Sequence, residues 1–117
     1  MKDATFAWRF QTAAPLSLKQ VKERLGKTWT VHDSDYRLDS MSGPITKAAW
    51  ARIFEIGISQ FIIHLTVEAE QDTDLDALVV EAKDKLFRDV LQFLDAREIE
   101  ESVPEAPNDY MSGWPTE

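Results

Sequence analysis

Residues 4 to 12, ATFAWRFQT, place Ala4, Phe6, Trp8, Phe10 and Thr12 on one parity and Thr5, Ala7, Arg9 and Gln11 on the other. A period of two with aromatics on one side predicts a strand with one buried face. The period then changes. Leu18, Val21 and Leu25 share a helical face, Ser17 and Gln20 have capping-box spacing, Leu16 is placed to staple onto Val21, and Gly26 follows as a stop. Together these predict a short amphipathic helix. Residues 27 to 33, KTWTVHD, alternate again, with Trp29 and Val31 opposite Thr30 and His32, and predict a second strand.

The segment 44 to 56, PITKAAWARIFEI, carries two patterns. As a helix it has Gly43-Pro44 at its start, Ile45, Ala49, Ile53 and Ile56 on one stripe, and Gly57 past its end. As a strand over 48 to 56 it puts Trp50, Phe54 and Ile56 on one parity and turns at Gly57-Ile58-Ser59-Gln60. The strand is favoured, because the β-branched run FIIHLTVEA at 61 to 69 needs a pairing partner close in sequence and a hairpin supplies one. In that run Phe61, Ile63, Leu65, Val67 and Ala69 face one way, and Ile62, His64, Thr66 and Glu68 the other.

Beyond an acidic turn, Asp74 is placed to cap a long helix with a stripe of Leu75, Leu78, Val79, Ala82, Leu86, Val90 and Leu94, widened by Phe87, Leu91 and Phe93. Glu81 with Lys85 and Asp84 with Arg88 form i,i+4 pairs on its outer side. From Ser102 the sequence SVPEAPNDYMSGWPTE has neither period, so residues 102 to 117 are expected to be an irregular acidic tail on a single domain of residues 1 to 101. The order β-α-β-β-β-α predicts an α+β fold: an antiparallel sheet of about four strands with two helices packed on one face. The helical reading of 44 to 56 gives three strands and three helices instead.

Composition narrows the partners. The 117 residues are 44% hydrophobic, enough for one core, and contain no cysteine, which removes disulfides, thiolate nucleophiles and thiolate metal sites and favours a reducing cytoplasm. No signal-peptide core and no apolar run long enough for a membrane span is present in the sequence, so the expectation is a soluble protein. The formal net charge is -8, and its placement is uneven. From Glu98 onward lie six acids and no Lys or Arg, which leaves 15 acids against 13 bases in residues 1 to 97. Without a basic stripe the chain is a poor nucleic-acid binder, and a basic protein is the better partner.

The stretch VHDSDYRLDSMSGP, residues 31 to 44, holds the densest polar chemistry. Asp33, Asp35 and Asp39 invite a calcium reading, but Arg37, Leu38 and Pro44 stand where an EF-hand needs a ligand, a glycine and a bidentate glutamate. Asp and Ser also favour turns through local backbone hydrogen bonds, which accounts for the stretch without a cation. His32 and His64 lack the spacing of a zinc motif, so no metal and no cofactor is expected. No nucleophile elbow, phosphate loop or activated serine is apparent. Both histidines share polar parity with Arg9, Gln11, Thr30 and Thr66, which would put Arg9, His32 and His64 on one sheet face, either in solvent or as a binding surface. Trp8 and Trp29 have core parity, whereas Tyr110 and Trp114 stand in the tail and would dock back or anchor a partner.

In size, acidity, absence of cysteine and lack of catalytic motif, the outline resembles small immunity or antitoxin proteins that block bacterial toxins. That likeness is of general character, and no residue motif carries it. It implies a cytoplasmic, non-enzymatic protein in which Asp33, Asp35 and Asp39, or the acidic C-terminal segment, occlude a basic cleft. A homodimer through the open sheet is the same class of function with a different partner. The alternative is a small enzyme or ligand-binding domain using Arg9, His32 and His64.

Overall fold

A computed structural model describes residues 2–32, 40–70 and 73–102. Their order is β1 (Lys2–Thr12), α1 (Leu18–Leu25), β2 (Thr30–His32), β3 (Ser40–Thr46), β4 (Ala49–Gly57), β5 (Gln60–Ala69), α2 (Leu75–Leu86), a π-helical turn (Phe87–Leu91) and β6 (Ala96–Ser102). The strands form one antiparallel sheet in the order β2-β3-β4-β5-β1-β6. The α+β class agrees with the sequence reading, but the sheet has six strands where about four were expected.

The two additional strands lack a hydrophobic alternation for distinct reasons. In β3, Gly43-Pro44 reads as a break. Yet β2 pairs only with Ser40 to Ser42, so Pro44 lies past its reach and has no ladder bond to lose on that side. Gly43 is required by packing: a Cβ there would come within 2.4 Å of the Trp29 ring. In β6 (AREIEES), residues 97 to 101 are exposed, as suits an edge strand. A bulge against β1 falls between Arg9 and Gln11, with Glu98 at a left-handed φ of 51°.

The strand favoured over 48 to 56 is present as β4, paired in a hairpin with β5, and the helical alternative for 44 to 56 is excluded. Two further expectations are corrected. The second strand covers Thr30–His32, shorter than 27 to 33. Phe93 is 55% exposed and does not widen the helical stripe. The helix N-termini follow the sequence closely. Ser17 and Gln20 form the capping box, Ser17 N donating to Gln20 Oε1 at 2.9 Å and Gln20 N to Ser17 Oγ at 3.3 Å. Asp74 Oδ1 accepts from the amides of Asp76 and Ala77. On the outer side of α2, Asp84 meets Arg88 at 3.0 Å.

Both helices pack on one face of the sheet. Leu18 and Val21 of α1, with Ala82, Leu86, Val90, Leu91 and Leu94, close over Trp8, Phe10, Ile53, Phe61, Ile63, Leu65 and Val67. Phe10 stacks on Phe61 across strands at 5.4 Å, and Phe87 meets Trp8 edge-on at 5.3 Å. Lys83 lays its ammonium 4.0 Å from the centre of the Phe6 ring, fastening α2 to β1 at the margin of the core. The β4–β5 hairpin is tied in by Ser59, at a φ of 58°, whose carbonyl accepts from Thr12 N and whose hydroxyl accepts from Leu16 N. Among the described residues, no helix is long and apolar enough to cross a membrane.

Candidate functional site

Paired residues in an antiparallel ladder share a face, so the register alone places the side chains opposite the helices. One row across the sheet runs His32, Ser40, Phe54, Ile62, Arg9 and Glu100. The next runs Thr30, Ser42, Arg52, His64, Ala7 and Ser102. Arg9, His32 and His64 therefore do occupy one face, as the parity of their strands implies.

They do not converge. His64 on β5 and Arg9 on β1 are diagonal neighbours, but His32 is on β2, three strand spacings from β5, or about 14 Å at the usual inter-strand distance. His32 is engaged locally: its Nε2 lies 2.7 Å from Ser42 Oγ. A serine bonded to an imidazole is the first part of an activated nucleophile, and sequence spacing gave no hint of it. A third group orienting the ring is needed for that chemistry, and no described carboxylate bonds His32. Arg9 lines a shallow cleft of about 250 Å³ with Gln11, Ile56, Gln60, Glu98 and Glu100, on the β6 side, and neither histidine lines it. Among the described residues, no three His, Asp or Glu side chains are grouped as metal ligands would be.

The middle of this face is not the solvated surface expected of an uncovered sheet. Ile62 and Ala7 are 0% exposed, Phe54 is 7% and Ser40 is 1%. They form a small aromatic and cationic cluster: Phe54 meets the His64 ring edge-on at 5.5 Å, the Arg52 guanidinium stands 5.3 Å from the Phe54 ring centre, and Arg52 Nε donates to Ser40 Oγ at 3.0 Å. Trp50, next along β4 on the same face, is 43% exposed. Sequence reading missed Arg52, Phe54 and Ile62 as a group. The signal was present, since Trp50, Arg52 and Phe54 share a parity, but Ala49, Ala51 and Ile53 on the other parity prove to be the side under the helices.

The second acidic feature is the outer edge. Glu98, Glu100 and Glu101 are exposed on β6, the last strand of the sheet. Asp33, Asp35, Asp39, Tyr110 and Trp114 lie outside the described residues, as does the tail from residue 103. Searches against protein-family models, curated proteins and solved structures return no match for this chain.

Proposed function

We propose that this chain is a non-enzymatic interaction protein that binds a basic protein partner through acidic surface, in the manner of an immunity or antitoxin-like inhibitor in the cytoplasm. The observation that carries the reading is the acidic sheet edge: Glu98, Glu100 and Glu101 are exposed on an edge strand and have no described cation bonded to them. An edge of this kind repels a second copy of itself while offering charge to a cationic surface. The loop aspartates Asp33, Asp35 and Asp39 belong to the same proposal as a second acidic contact.

The test is a pull-down with the product of a neighbouring gene as bait, followed by association kinetics. Changing Glu98, Glu100 and Glu101 to Gln is expected to slow association by about 10-fold at low salt, with the difference shrinking as salt rises. Unchanged association at low salt would remove the β6 edge from the mechanism. The alternative, a small enzyme or ligand-binding domain, has the shared face of Arg9, His32 and His64 in its favour and the spread between β2 and β5 against it.

A further inference from the structure

The cluster opposite the helices presents a problem of covering. Ile62 is 0% exposed and Phe54 7% exposed on a sheet face of the kind antiparallel sheets often leave in water. Neither helix covers that face, because both lie on the other one with Ile53, Ile63 and Leu65. We propose that the face made by Ala7, Arg52, Phe54, Ile62 and His64 is a docking surface for the chain's own residues 103 to 117, with Tyr110, Met111 and Trp114 as the apolar contacts.

Two observations carry this. The first is position. Ser102 pairs with Ala7, in the row that continues through His64 to Arg52, so the chain leaves β6 beside the face in question. Two strand spacings, about 10 Å, separate Ser102 from His64, and eight residues of extended chain between Ser102 and Tyr110 span up to about 26 Å. Pro104 and Pro107 lack the N–H groups that a continued ladder against β1 would use, which favours departure from the edge.

The second is charge. The protein is acidic, yet the cations Arg9 and Arg52 stand at the middle of this face, while its acids Asp3, Glu68 and Glu100 lie toward its margins. Residues 103 to 117 contain Glu105, Asp109 and Glu117 and no Lys or Arg.

The test uses the full chain. Because no cysteine is present, Ser112→Cys gives a unique site for a nitroxide label, and amide signals are compared before and after the label is reduced. Docking predicts loss of the Arg52, Phe54, Ile62 and His64 signals with those of Val21, Ala82 and Leu86 retained. Adding Arg52→Glu, an exposed position, is expected to restore the lost signals. Losses on the helix side, losses spread evenly over the chain, or none at all would overturn the proposal. So would losses that appear only between a labelled molecule and an unlabelled one, which would make a second copy the occupant. Losses confined to Thr30, Val31 and His32 would also overturn it.

Discussion

Gly43 shows how one residue can carry a structural requirement that sequence pattern reads as an interruption. It sits inside β3, and the Trp29 ring occupies the space a side chain would need, with three ring atoms 2.4 to 2.7 Å from where a Cβ would be. Gly43→Ala is expected to destabilise the fold by about 1 to 3 kcal/mol, as overpacking in a fixed core does, read as a lower urea midpoint with an unchanged slope. Phe54 offers the complementary case on the opposite face. Were that face merely wet, Phe54→Ala would cost no more than about 0.5 kcal/mol, the usual limit for surface changes. With the ring 7% exposed between His64 and Arg52, the expected cost is about 3 kcal/mol or more by the same urea measurement.

Among the elements, legibility followed the presence of a buried stripe. In β1, β5 and α2 one face faces the helix-side core, and the alternation of Phe6, Trp8 and Phe10 or the spacing of Ala82, Leu86 and Val90 was enough to find them. In α1 the capping chemistry of Ser17 and Gln20 was written in the residues and is formed. β6 could not be found this way, since an exposed edge strand buries almost nothing and is held by its ladder to β1, a long-range contact that no local pattern encodes. β3 was hidden by Pro44, harmless only because β2 is so short. The acids of β6 also protect the sheet from pairing with a second molecule through its open edge. Replacing Glu98, Glu100 and Glu101 with Val is expected to produce self-association, visible as rising mass with concentration in light scattering, while the helical signal stays unchanged.

For the whole molecule, the candidate site was legible in outline only. The parity of Arg9, His32 and His64 placed them on one face, but strand order, which sets His32 far from His64, is a property of the assembled sheet. The same holds for the Arg52, Phe54 and Ile62 cluster, whose members come from β4 and β5 and meet through register. Strand order also bears on time. β1 is made before every other element, yet its ladder partners are β5 and β6, as in Lys2 with Ala69 and Ala7 with Ser102. During synthesis Phe6, Trp8 and Phe10 must therefore wait, without a strand to pair with, until β5 has left the ribosome. Closing so long a loop before any pairing is rewarded makes folding slow. Until β5 follows, the nascent chain carries its most aromatic strand unpaired, the kind of exposed apolar edge that invites aggregation.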